Sequence, residues 1–350
     1  MSIVAELYRF VVGVDTHAKT HTFAVIDTRT GKEVGVRDYP VTAKGMGRAV
    51  TWALSVAGGE PLLAAVECTS TYGATITREF TARQVKVVQA IPPRRSSRRA
   101  KGKSDRIDAE AAARSVLGRS IEGLSIPKDP DGYAKAMGVL LTARDRLKTR
   151  RTADISALTA LLRSCDLGVD ARCALKAAQI NKIANWRVDP KDLSTLMVLR
   201  VQAKTLATAI ITARKDLDEN KAQLMRLLLQ TAPSLKGLPG VGPVNGCQIL
   251  ASRAQEGRIP SEAAFACLAG VAPIPASSGN TVRHRLSRYG DRQLNLALDV
   301  VAKSRIRFEP ETQLYVAKRK AQGKSDREIR RLLRRYIARQ IHRHLAPIGL

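Results

Sequence analysis

The chain is 350 residues long, room for two or three domains with cores of their own. Its 59 Lys and Arg against 31 Asp and Glu leave a formal charge of +28, which points to a polyanionic partner, nucleic acid first, over acidic small molecules. Aromatic residues make up only 4%, which argues against the extensive base stacking of single-strand binders, so phosphate contacts are expected to dominate.

In chain order, residues 10–15 and 22–27 are apolar, β-branched runs joined by a polar turn, a hairpin pattern. A second turn at Gly31 leads into residues 33–41, so the first three strands are predicted to form an antiparallel meander. From Thr42 the spacing becomes helical (Met46, Val50, Leu54, Val56) until Gly58 and Gly59 end it. Residues 62–67 (LLAAVE) are continuously apolar up to the final acid, as in a strand buried on both faces. A helix over 74–83, a strand over 85–91 closed by Pro92 and Pro93, and a helix over 105–117 capped by Ser104 complete a β-β-β-α-β-α-β-α order.

The middle, from about residue 132 to 230, is poor in glycine and rich in Ala, Leu, Arg and Lys, with stretches 134–151 and 203–229 that read as long helices of a bundle or coiled-coil spacer, broken near Pro190. The turn Gly237-Leu-Pro-Gly240-Val-Gly242 marks a boundary. It resembles a helix-hairpin-helix turn that binds a DNA phosphate, or is a plain interdomain turn. Helical signals then resume, interrupted by a Pro- and Ser-rich loop at 273–280. In the tail, Ser325 and Glu328 form a capping-box pattern ahead of a helix. Ile329, Leu332, Leu333, Tyr336, Ile337 and Ile341 share one of its faces, and arginines occupy the others. That helix is expected to hold nucleic acid, to dock on a neighbouring subunit, or both.

Charge is uneven: residues 1–90 carry ten Lys and Arg against eight Asp and Glu, whereas residues 271–350 carry eighteen against six. A second basic focus, Arg94, Arg95, Arg98, Arg99, Lys101 and Lys103, immediately precedes Asp105 and reads either as a phosphate contact or as a solvated loop. Cys68, Cys165, Cys173, Cys247 and Cys267 are odd in number and lack C-x-x-C spacing, so they are expected as mostly buried thiols in a reduced cytoplasm rather than as zinc ligands or disulfides. No basic leader with an apolar stretch and no long apolar run is seen, and a soluble protein without a membrane is expected.

The chemistry concentrates in four acids. Asp15 ends the first predicted strand and Glu67 the fourth, so both reach one sheet edge if those strands are neighbours. Asp105 and Asp108 are three residues apart in the first turns of one helix, on roughly one face. Read singly, Asp105 is a helix N-terminal acid and Asp108 a partner for Arg106 or the basic loop. Read together, four converging carboxylates repel unless cations neutralise them, and hard oxygen ligands suit Mg²⁺ or Mn²⁺. Two such ions can activate an attacking oxygen and stabilise the leaving one in phosphoryl transfer.

The segments VGVDTHAKTHTFAVID, AAVECTSTYG and KGKSDRIDAEAAAR resemble the DEDD motifs of the insertion-sequence transposases of the "IS one-ten" family, which have a RuvC-like amino-terminal domain. GLPGVGP, LAGVAP, SSGN and LSRYGDRQLNLAL resemble that family's carboxy-terminal transposase domain. The resemblance implies an α/β ribonuclease H-like (RuvC-like) domain over 1–125, a helical coiled-coil-like spacer over 126–230, a mostly α-helical serine transposase domain over 231–310 and a basic tail helix over 311–350. It assigns metal binding to Asp15, Glu67, Asp105 and Asp108, and a nucleophilic serine to Ser278, which directly precedes Gly279. A turn serine has no such role on turn chemistry alone. Arg283, Arg285, Arg288 and Arg292 follow as nucleic-acid contacts. The resemblance further implies donor and target DNA, a noncoding bridge RNA, a dimer or tetramer with composite sites between subunits, and a bacterial or archaeal nucleoid setting. The alternatives are a RuvC-like junction endonuclease using the carboxylates alone and a non-catalytic nucleic-acid-binding protein.

Overall fold

The structure is a computed structural model that describes residues 2–91, 104–192, 194–255, 257–276, 284, 285, 287 and 289–345. It falls into two compact units, Met1–Gly132 and Tyr133–Leu350.

The first unit is a five-stranded mixed sheet in the order β3-β2-β1-β4-β5. β1 (Phe10–Thr16), β2 (Thr20–Asp27) and β3 (Glu33–Pro40) form the expected meander, and β4 (Leu62–Val66) and β5 (Lys86–Gln89) run parallel to β1. Side chains alternate between the two faces. Val12, Val14, Phe23, Ala64 and Val66 face a core built with α2 (Ala43–Ala57) and α3 (Ala74–Ala82). Val11, Ile26, Leu63, Ala65 and Val88 face the opposite core, with Ala112 and Ala113 of a helix over Asp105–Arg114. Both faces of β4 are therefore covered, which is why its sequence is an uninterrupted apolar run; each such buried Val or Leu contributes roughly 1.5–3 kcal/mol. A short helix at Val4–Leu7, which the sequence pattern does not announce, buries Val4 in this second core. Numbered in chain order, Val4–Leu7 is α1 and Asp105–Arg114 is α4. This is the α/β ribonuclease H-like arrangement that the resemblance implies, with strands and helices in the expected order, and the rest of the chain is mostly helical.

The second unit is organised by α5 (Tyr133–Ser164) and α7 (Thr195–Thr231), joined through α6 (Ala177–Ala184). The start of α5 meets the end of α7: Arg144 Nη1 donates to Leu217 O (2.8 Å) and Asn220 Nδ2 donates to Leu140 O (2.9 Å), so the pair is antiparallel. Ala203, Ala207, Ile210, Ala213, Leu217, Asn220, Leu224 and Leu228 are the buried seam of α7. Their mixed spacings of three and four keep one stripe on a partner helix. By length and composition α7 could also cross a membrane, with a mean hydropathy of 1.3 over 18 residues, but the seam is spent on α5 and on a polar bond through Asn220. One end of the pair closes with α6 around Leu158, Ile180 and Ile183. The other end shares a core with α8 (Pro243–Arg253), α9 (Glu262–Leu268), α10 (Arg292–Phe308) and, beyond α11 (Pro310–Ala321), α12 (Asp326–Leu345).

The tail helix α12 carries the expected capping box, with Ser325 N donating to Glu328 Oε2 (2.9 Å). Ile329, Leu333, Ile337 and Ile341 are buried in the core of their own unit, where a neighbouring subunit had been one expected site, while Tyr336 is exposed. The cysteine expectation is corrected: only Cys247 is buried, whereas Cys68, Cys173 and Cys267 are exposed. Cys68 sits in the turn after β4 at φ 47° and Cys173 in a loop, positions that no apolar periodicity governs.

Candidate functional site

On β1 the alternation that puts Val11 in the α4-side core puts Gly13 and Asp15 on that side too. On β4 it does the same for Leu63, Ala65 and then Glu67, which directly follows the strand. The parallel register pairs Val14 with Val66, and Glu67 N donates to Val14 O (3.2 Å), so Asp15 and Glu67 leave adjacent strands at one edge. Ser104 caps α4, its Oγ accepting from Ile107 N (3.3 Å), as expected. Asp105, Asp108, Ala109, Ala112 and Ala113 follow the i, i+3, i+4, i+7, i+8 pattern, so the two acids continue the stripe with which α4 lies on the sheet. Arg106 does not pair with Asp108; it is bound to Glu33 of β3.

The site contains a residue beyond the four acids. His17 Nε2 donates to Asp15 Oδ2 (3.0 Å) and lies 3.5 Å from Asp105 Oδ1. One ligand atom from each of Asp15, His17 and Asp105 falls within 4.8 Å of the other two. Asp15 is only 6% exposed. Burial raises its pKa above the ordinary carboxylate value, the charges of Asp108 and Asp105 push the same way, and only His17 opposes them. A buried carboxylate repelled by two neighbours, at the open end of a sheet and beside an imidazole, is the donor set that a divalent cation suits, so the residues fit the metal that a DEDD centre implies. Behind it, His21 is fully buried and its pKa is lowered by that burial. Its Nδ1 accepts from His17 N (3.2 Å), which ties down the turn between β1 and β2.

Gly13 is what lets α4 approach. A methyl group there would run into Ala109 O and Ala113 N of that helix. Gly13→Ala is therefore expected to cost about 1–3 kcal/mol by overpacking and to displace Asp105 and Asp108 from Asp15. Thermal unfolding together with a divalent-metal titration checks this, and a variant with wild-type melting and metal affinity would contradict it.

The second unit holds a basic cavity of about 630 Å³ whose lining includes His284, Arg285, Lys324, Arg331, Arg334 and Arg335. Arg334 is held by Asn295 Oδ1 (2.8 Å) and Asp299 (3.8 Å), and Arg335 by Glu262 (2.6 Å), so their guanidinium groups are fixed in place. Arg285 lies exposed on the short strand His284–Arg285, and Arg292 is exposed at the first position of α10, whose cap Asp291 accepts from Gln293 N (2.9 Å). The glycine turn at 237–242 packs on α10: Arg305 Nε donates to Pro239 O (2.8 Å), and a side chain at Gly240, φ 78°, would meet Val301 O. Ser278, Arg283 and Arg288 lie outside the described residues, as do Arg94, Arg95, Arg98, Arg99, Lys101 and Lys103.

Two features of these candidate sites are absent from the sequence pattern described above. His17 was legible in principle, because it stands two residues beyond Asp15 and the period of a strand returns it to the same face. The pairing of Arg285 with the tail arginines was not, since nothing local relates residue 285 to residue 331.

Comparison with known proteins agrees with this geometry. Residues 12–165 match a family of DEDD transposases, and residues 232–317 match the family described as Transposase IS116/IS110/IS902. A relative, the insertion element IS110 uncharacterized 43.6 kDa protein of Streptomyces coelicolor, is 28% identical over 145 residues, which span 39% of this chain and 36% of that protein. The two family matches together cover more than half of the chain, in the order of the two units, and the chain belongs to the IS116/IS110/IS902 transposase family.

Proposed function

We propose that the protein is a DNA recombinase that excises and inserts its own insertion sequence, guided by a bridge RNA. The observation that carries this reading is the convergence of Asp15, Asp105 and Asp108 on one sheet edge, with Glu67 leaving the adjacent strand. The family matches and the charge of +28 support a DNA substrate. In this reading Asp15, Glu67, Asp105 and Asp108 hold Mg²⁺ or Mn²⁺. When bound, the ion polarises the scissile phosphate and offsets the charge that develops on its oxygens.

Ser278 supplies the nucleophile. Its Oγ–P bond forms as the P–O3′ bond breaks, leaving a 5′-phosphoserine linkage and a free 3′-hydroxyl that takes up the proton. The cavity lined by Arg285, Lys324 and Arg331 binds the phosphodiester backbone through charge. A junction endonuclease is the second reading, because the carboxylate cluster by itself suffices for hydrolysis. A strand-exchange assay with donor DNA, target DNA, the flanking RNA of the element and Mg²⁺ decides between them. Joined product that requires the RNA supports the proposal, and cut DNA without joining overturns it.

The cavity has its own test. Replacing Lys324 and Arg331 together by Ala is expected to lower the slope of log affinity against log salt by about 2, one unit for each phosphate left without its cation. Fluorescence anisotropy across a salt series measures the slope, and an unchanged slope would remove the cavity from the interface.

A further inference from the structure

His17 is not one of the four carboxylates of the DEDD set, yet it is bonded to the most buried of them: its Nε2 is 3.0 Å from Asp15 Oδ2, and 3.5 Å from Asp105 Oδ1. Neighbouring ligands on an octahedral ion with bonds of about 2.1 Å are themselves about 3.0 Å apart. The His17–Asp15 separation already matches that spacing, the His17–Asp105 one is about half an ångström longer, and all three atoms lie within 4.8 Å of one another, close enough for one ion to draw them together. The arrangement is built into the backbone as well. β1 is paired with β2 as far as its last residue, Thr16, opposite His21, and His21 Nδ1 accepts from His17 N (3.2 Å), so the turn is anchored on the residue after the strand. The His17 side chain is 46% exposed, which leaves room for water or a phosphate oxygen on its outer side.

We propose that His17 is a direct ligand of the divalent ion, joining Asp15 and Asp105 through Nε2 and giving the centre a preference for Mn²⁺ or Co²⁺ over Mg²⁺. The inference rests on the metal reading above. Mg²⁺ takes hard oxygen donors, whereas an imidazole nitrogen gains affinity along the series from Mn²⁺ to Co²⁺ and beyond. In the coordinating form the ring carries its one proton on Nδ1, and Nε2 gives its lone pair to the ion instead of donating to Asp15.

Mn²⁺ titrated into the full chain, followed by electron paramagnetic resonance, tests this without reference to catalysis. Wild type is expected to bind Mn²⁺ with the hyperfine signature of a directly bonded nitrogen. His17→Asn, which puts an amide in place of the ring, is expected to keep its fold by circular dichroism and lose that signature. It is also expected to bind Mn²⁺ at least about tenfold more weakly and to let Mg²⁺ displace Mn²⁺ more readily. A nitrogen signature that persists in His17→Asn, or one absent from wild-type Mn²⁺ whose binding depends on Asp15, overturns the assignment of His17 alone. Mn²⁺ binding that is equal in wild type and Asp15→Asn overturns the metal reading itself, and this proposal with it.

Discussion

Asp15→Asn is expected to reduce strand exchange by about a thousandfold or more while making the protein more resistant to heat in a chelator. The loss of activity follows from the position of Asp15 between His17, Asp105 and Asp108. A divalent ion contributes several kcal/mol of charge stabilisation in phosphoryl transfer, and each 1.36 kcal/mol is about tenfold in rate. The gain in stability follows from burial, which together with the nearby acids holds the Asp15 pKa above its ordinary value. A group whose pKa is raised by folding favours its neutral form in the native state. The wild type thus loses stability as pH rises through the folded-state pKa of Asp15, and regains it below the unfolded carboxylate value of about 4. Asparagine is neutral throughout. Melting temperatures in a chelator should therefore separate at neutral pH, with the variant higher, and converge in acid. A lower melting temperature for the variant at pH 7, or full activity with Mg²⁺, would refute the site.

Ser278→Ala is expected to abolish the covalent protein–DNA linkage and the joined product together, to below detection, because alanine has no oxygen to form the phosphoserine bond. Binding to the same DNA should stay within about twofold of wild type if, as proposed, the basic cavity carries the phosphate contacts. Denaturing gel electrophoresis of labelled DNA reads the adduct directly. An adduct that survives in Ser278→Ala would exclude this serine, and cleavage that survives without any adduct in wild type would favour the junction endonuclease. Mixing Asp15→Asn with Ser278→Ala extends the test: recovery of joined product would show that one copy supplies the carboxylates and another the serine.

Much of the first unit can be read from local pattern because its determinants are local. The alternation in VVGVD, the unbroken apolar run LLAAV and the Ser104 cap each act within a few residues. The structure reproduces the order of strands and helices, with ends shifted by a few residues at the fifth strand and the fourth helix. The three-and-four spacing along α7 likewise announces a packed helix pair before any partner is known.

Chain order and side-chain period alone thus determined that Asp15 and Glu67 lie at strand ends, within one residue of the last, and that Asp105 and Asp108 share a helix face. Which of these residues meet was decided by tertiary structure: the approach of α4 at Gly13 brings Asp105 to Asp15 and His17, and the parallel pairing of β1 with β4 sets Glu67 on the neighbouring strand end. The same holds for His17, whose strand parity is written in the chain but whose distance to Asp105 exists only once α4 is docked. It holds for the tail arginines too, which reach Arg285 because Ile329, Leu333 and Ile337 are drawn into a core assembled from distant segments. Local propensity is short-ranged, whereas burial of apolar surface acts between residues of any separation, and in this protein it is burial that gathers the charged side chains into sites.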